Sequence, residues 1–156
     1  MKKLISMLLN LVFIVLISCG QNANSGSSVT KLEGAPAPFD GSEKLHFAVI
    51  RQALEGEFLQ MWQDGAQKQA DLMGIKLTIL GKNMDNQAQA DFVYQAINMK
   101  VDGIILDHGL PETLQKPAAD AVAAGIPVVA FEVDVNNPEI NQITQDNYAL
   151  GKASLE

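Results

Sequence analysis

A single cysteine among 156 residues, Cys19, excludes an internal disulfide framework and any cysteine cage for zinc. Two histidines, His46 and His108, are too few for most histidine metal sites, so both read as satisfied structural residues. No metal and no cofactor are expected. Basic residues are scarce, eleven against eighteen acidic ones, which gives a net charge of −7. Removing Lys2 and Lys3 with the first eighteen residues leaves nine against eighteen, near −9. A polyanion would be repelled, so nucleic acid is excluded as a partner, and the acidic surface reads as a means of staying soluble. Charged residues make up 19% of the chain and apolar ones 47%, which excludes disorder by composition and suits one globular domain with a short appendage.

The appendage is N-terminal. Met1-Lys2-Lys3 is a short cationic start, and Leu4 to Ile17 is almost wholly apolar, broken only by Ser6 and Asn10. Small residues follow it, so residues 1–18 read as a secretory signal. As a helix the apolar run would reach roughly 21 Å, short of the ~20 residues that span a bilayer core. Leu16-Ile17-Ser18-Cys19 resembles the bacterial lipobox. That resemblance implies a diacylglyceryl group on Cys19, cleavage before it, and a membrane anchor of two or three acyl chains. Residues 19–43 then read as the lipidated cysteine and a flexible Gly/Ser/Pro-rich tether. The expected location is the cell envelope, either in the periplasm or on the outer face of the cell membrane.

The pattern changes at Lys44. Leu45 to Ile50 reads as a strand. Gly56 precedes a helix in which Phe58, Met61, Trp62, Ala66, Ala70 and Met73 recur at three- and four-residue steps, one buried stripe ended by Gly74. Ile75 to Leu80 is a second strand. Asp85-Asn86 can cap a helix whose core face is Phe92, Val93, Ala96, Ile97 and Met99. Ile104-Ile105-Leu106 is a third strand, apolar enough to be buried on both faces. Pro111 opens a helix with Leu114, Ala118, Ala121 and Val122 inside, stopped by Gly125. Pro127 to Phe131 is a fourth strand, Ile143-Thr144 lies in a short fifth, and Asp146 caps a last helix from Asn147. The order β-α-β-α-β-α-β-β-α predicts an α/β fold: a parallel sheet with helices on both faces and right-handed crossovers.

Ligands in such sheets bind at the carboxyl ends of the strands. The segment Arg51 to Glu57 has neither the paired glycines of a dinucleotide turn nor a Walker lysine, and its acids would repel phosphate. No GxSxG elbow occurs and neither histidine has a serine or cysteine partner, so the chain reads as no enzyme. A phosphoacceptor receiver domain would suit Asp107, but Arg51-Gln52 stand where its acids belong and no lysine completes it. What the strand ends do carry is Gln52, Glu55, Asp107, Glu132, Asp134 and Asp146, with Phe58 beside them. Carboxylates accept hydrogen bonds from paired hydroxyls, and an aromatic ring covers a sugar's apolar face.

Gly65-Ala66-Gln67-Lys68-Gln69-Ala70-Asp71, Val101-Asp102-Gly103-Ile104-Ile105-Leu106, Ala124-Gly125-Ile126-Pro127-Val128-Val129 and Gln145-Asp146-Asn147-Tyr148-Ala149-Leu150-Gly151-Lys152 come in an order and spacing that carry a likeness. Together they resemble the type I periplasmic binding proteins of the ribose/galactose group, across residues 44–156. The resemblance implies a Rossmann-like N-terminal lobe, with a second lobe missing, of a protein that captures a sugar or related polar solute for an ABC permease of the inner membrane. A sensory lipoprotein presenting ligand to a chemoreceptor or kinase is the alternative. Gln52, Glu55, Phe58, Asp107, Glu132 and Asp134 at the strand ends are the candidates for the first-lobe half of the ligand site. A monomer is expected.

The chain departs from the ribose pattern. Glu55, Glu57 and Phe58 stand where an Asn and two Phe are usual, Glu132-Val133 replaces Asp-Arg, and Asp107 replaces a smaller amide. These changes point to a more acidic pocket, suited to an amino sugar, another cationic solute or a metal-assisted ligand. The chain is also expected to stop inside its last helix at Glu156, as a truncated form.

Overall fold

A computed structural model describes Gly34 and residues 40–155. The signal segment, Cys19 and most of the tether lie outside the described residues. Five strands form one parallel sheet: β1 (His46–Arg51), β2 (Lys76–Gly81), β3 (Gly103–Asp107), β4 (Val128–Phe131) and β5 (Asn141–Ile143). Four helices join or follow them: α1 (Glu57–Met73), α2 (Asn86–Asn98), α3 (Pro111–Ala123) and α4 (Asn147–Ala153). The spatial order is β2-β1-β3-β4-β5. The chain winds one way from β1 to β2 and the other way from β3 onward, so the order reverses between β1 and β3.

Local signals explain the element ends. Gly74 adopts φ 69° and its N–H bonds back to Ala70 and Asp71, the left-handed stop that a glycine permits. The Asp85 carboxylate accepts from Ala88 N at 2.9 Å and that of Asp146 from Ala149 N at 2.8 Å, so each caps its helix. Pro111 occupies the first turn of α3, where its missing N–H is no loss.

The core lies on one face of the sheet. Ala48 and Ile50 of β1, Ile104 and Leu106 of β3, and Val128 and Ala130 of β4 pack against Val93 and Ala96 of α2 and Leu114, Ala118 and Ala121 of α3. Val133, Val135 and Ile140 of the β4–β5 loop close the same cluster. Alternation along each strand sends Phe47, Val49 and Arg51 to the opposite face, where α1 lies. The sheet therefore has helices on both faces, as the element order requires.

Three expectations need correction. The apolar stripe of α1 is not buried as one piece: Ala70 is its one buried residue, while Phe58 is 72% exposed, Met61 67% and Met73 47%. The helix reaches only the β1–β2 side of the sheet, so part of its apolar surface meets no second layer among the described residues. For the same reason β3 is not buried on both faces. Ile105 is half-buried and lines, with Phe47, Gly103, Pro127 and Val129, an open apolar groove of about 290 Å³. Finally, α4 ends at Ala153, with Ser154 as its C-cap, rather than running through Glu156.

Candidate functional site

The reversal of strand order between β1 and β3 opens a crevice at their carboxyl ends, where the two neighbouring loops diverge to opposite faces. Arg51 and Asp107, the last residues of those strands, are register partners there. Arg51 Nη1 donates to Asp107 Oδ2 in an ion pair whose side chains are only 12% and 4% exposed. The guanidinium carbon lies 4.6 Å from the centroid of the Trp62 ring, a cation–π contact that fixes the Arg51 side chain against α1. Trp62, expected in the core, is half-buried beneath this arginine instead.

The second Asp107 oxygen, Oδ1, meets His108 Nδ1 at 2.5 Å. His108 stands at φ 59° and Glu132 at φ 55°, each the first residue after its strand. Non-glycine residues rarely adopt this left-handed backbone. In both cases it is held by cross-strand bonds: His108 N donates to Phe131 O at 2.9 Å, and Glu132 N to Ile143 O at 3.0 Å. Phe131 presents itself edge-on to the imidazole with ring centroids 5.9 Å apart. Gln89, fully buried on α2, reaches up to donate to His108 O at 2.9 Å.

The expected site residues divide by what holds them. Gln52 is joined to Asp107 through its backbone N–H at 3.4 Å, and its side chain donates to Asn86 Oδ1 at 3.0 Å. Glu55 is exposed and accepts from Asn83 Nδ2 at 3.2 Å, so Gln52 is braced by the start of α2 and Glu55 by the loop before it. Phe58 projects into solvent from the first turn of α1. Glu132 accepts from Gln145 N at 2.8 Å, tying β4 to the segment before α4. Asp134 accepts from Asn136 N at 2.8 Å and Gln142 Nε2 at 2.9 Å, bonds that, the Gln142 one foremost, hold its carboxyl below the usual range. Its partners belong to the β4–β5 loop and β5 rather than to the β1–β3 crevice. Gln52 and Asp107 thus meet at the crevice, Glu132 borders it through Phe131 and His108, Glu55 stands against the loop after β2, and Asp134 stands apart.

Arg51, His108 and Phe131 are the crevice residues that pattern reading missed. A signal for the first existed. The runs Ala48-Val49-Ile50-Arg51 and Ile104-Ile105-Leu106-Asp107 end in opposite charges, and the parallel register that pairs Ala48 with Ile104 places those ends side by side. His46, read as structural, is so: Nε2 lies 2.9 Å from Thr78 Oγ1 on β2. Among the described residues there is no group of three or more His, Cys, Asp or Glu that could hold a metal ion, and no helix long and apolar enough to cross a membrane.

Comparison with known proteins adds the family. Residues 47–156 match the model of the periplasmic binding protein domain. The D-xylose-binding periplasmic protein of Haemophilus influenzae is 26% identical over 130 residues, which are 81% of this chain and 39% of that protein. The 5-methylthioribose transporter solute-binding protein of Thermotoga lettingae, solved with 5-methylthioribose, is 31% identical with a TM-score of 0.64, over 69% of this chain and 34% of that one. A carbohydrate transporter protein of Acidothermus cellulolyticus, solved with myo-inositol, is 30% identical with a TM-score of 0.62, over 72% of this chain and 41% of that one. The chain thus spans about two fifths of the length of its curated relative and a third to two fifths of these solved structures.

Proposed function

The chain belongs to the periplasmic binding protein domain family, and on that premise we propose that it is the first lobe of an extracytoplasmic solute-binding protein that captures a sugar or related small polyol for an ABC importer. The observation that carries this reading is the crevice at the point where strand order reverses, lined by Arg51, Asp107, His108 and Gln52, with the rings of Phe131 and Trp62 against it. Polar groups that converge beside aromatic rings suit a molecule with hydroxyls on its edge and C–H bonds on its faces. The relatives solved with 5-methylthioribose and myo-inositol carry ligands of that kind. Both relatives, like the xylose-binding one, are solute-binding transport proteins, and catalysis is no part of the role proposed here.

Within this reading Gln52, Glu55, Phe58 and Glu132 serve as ligand contacts, Asp134 joins them only if the β4–β5 loop moves, and the second half of the site comes from a partner lobe. Residues 1–18 direct export, Cys19 carries the lipid anchor, and residues 20–43 tether the lobe in the envelope, within reach of an inner-membrane permease. The test is a thermal-shift screen of the complete protein lacking residues 1–19 against sugars, amino sugars and polyols. A ligand bound only by the native state must raise the melting temperature. A rise with D-xylose, 5-methylthioribose or myo-inositol supports the reading; no rise with any panel member removes it.

A further inference from the structure

We propose that His108, rather than Asp107, is the residue at the end of β3 that touches ligand. Asp107 is a positioning residue that fixes the imidazole so that its Nε2 accepts a hydrogen bond from a hydroxyl of a neutral, polyhydroxylated molecule. The proposal rests on the solute-binding reading above and names the ligand chemistry of that same crevice.

Asp107 is 3% exposed, and both its oxygens face donors of the protein itself, Oδ2 toward Arg51 Nη1 and Oδ1 toward His108 Nδ1 at 2.5 Å. It therefore offers no free edge to a solute. An ionised carboxylate only accepts, so in a neutral ring the shared proton belongs to Nδ1. The other nitrogen, Nε2, is then unprotonated and is the remaining polar atom of a side chain that is 46% exposed.

The loop beneath is built to hold that ring still. His108 is fixed in its left-handed backbone by bonds to Phe131 O and from Gln89 Nε2. Gln89 Oε1 stays buried without a partner, so an uncommon cost is accepted at the same loop. A Cβ on the next residue, Gly109, would lie 2.5 Å from that oxygen and 2.6 Å from Leu114 Cδ1, so the loop passes too close to the core for any side chain there. Backbone strain and an orphan polar atom that persist together point to a side chain whose aim matters.

Charge narrows the ligand class. Arg51 and Asp107 pair their opposite charges. Glu132 accepts from Gln145 N. Both Asp107 oxygens face donors of the protein, so that carboxylate is not open to an ammonium group, and this end of β3 suits a hydroxyl rather than the cationic amino sugar that the acid-rich sequence suggested.

The experiment is nitrogen-15 NMR of histidine side chains in the complete protein lacking residues 1–19, at about pH 8.5, where an ordinary imidazole is neutral. His108→Gln assigns the resonances. The expected pattern for His108 is the Nδ1–H tautomer, lost in Asp107→Asn, with an Nε2 resonance that moves when D-xylose, 5-methylthioribose or myo-inositol binds. In calorimetry with the sugar that binds, His108→Ala weakens affinity about 10-fold, whereas His108→Gln, whose amide oxygen can stand in for Nε2, keeps most of it. An Nε2–H tautomer, or wild-type affinity in His108→Ala, overturns the proposal while leaving sugar binding intact. A sugar that binds in calorimetry without moving the His108 Nε2 resonance likewise overturns the proposal; if none of the three sugars gives a heat of binding with the wild-type protein, the solute-binding reading falls first and the ligand role of His108 falls with it.

Discussion

Arg51 on β1 and Asp107 on β3 are register partners in adjacent parallel strands, and their side chains close an ion pair across the reversal of strand order. With side-chain exposures of 12% and 4%, neither charge has water to fall back on. Asp107→Ala leaves the guanidinium facing Trp62 without its counter-ion, and a loss of about 3 kcal/mol is expected. Arg51→Met alone strands the carboxylate and costs a similar amount. The double variant Arg51→Met/Asp107→Ala removes both charges and is expected to lose clearly less than the sum of the two. Urea unfolding of the complete protein measures all three; additive losses would show that the pair is not coupled.

Two glycines predict opposite signs. A Cβ at Gly81, the last residue of β2, would lie 2.7 Å from both Arg51 O and Leu54 Cγ. The first of these is backbone, fixed by the β1–β2 pairing, so Gly81→Ala is expected to destabilise by about 1–3 kcal/mol through overpacking. Gly65, inside α1, has nothing within 4 Å of its would-be Cβ, and Gly65→Ala is expected to stabilise by about 0.5–1 kcal/mol. A raised urea midpoint in Gly81→Ala would contradict the close packing at the end of β2, and a lowered one in Gly65→Ala the open space on α1.

Strand and helix order was legible because each element carries its own punctuation. Gly74, Asp85, Pro111, Gly125 and Asp146 mark boundaries by backbone rules that need no tertiary information. Burial of α1 was not legible. Its stripe of Phe58, Met61, Trp62 and Met73 has the period of a core face, but period does not say whether a second layer exists to cover it. The site was legible as a place, the strand ends, more than as a set of roles. Asp107 was expected as a free acceptor, whereas its oxygens are taken by Arg51 and His108, residues that meet it only once β1 and β3 are paired and the chain turns left-handed at His108.

Stability should fall with mild acid through His46. Burial, chiefly, and the nearby Lys76 charge push its pKa below the ordinary imidazole value, with Asp102 opposing. The unfolded chain therefore takes up a proton at a higher pH than the folded one does. The contribution is fully present above about pH 6.5 and is lost as pH falls from there through the lowered folded value. His46→Gln keeps a polar group near Thr78 Oγ1 and has no proton to gain. The melting temperature of the wild-type protein is expected to drop more between pH 7.5 and 5.5 than that of His46→Gln. Parallel curves would show that His46 titrates alike in both states.

Phe58 separates binding from folding. At 72% exposure it contributes little to the core, and Phe58→Ala is expected to change stability by no more than about 0.5 kcal/mol. Its place on the first turn of α1, beside the end of β1, is where a ring could cover the apolar face of a sugar held by the crevice. Losing that cover should weaken the affinity for whichever sugar binds by about 10-fold, the equivalent of ~1.4 kcal/mol of buried apolar contact. Leu72, 61% exposed near the far end of the same helix, supplies the control, because Leu72→Ala removes exposed apolar surface distant from the strand ends. Calorimetry on the two variants decides the matter. Weakened binding in Phe58→Ala alone assigns the ring to the ligand, and unchanged binding in both leaves Phe58 as surface.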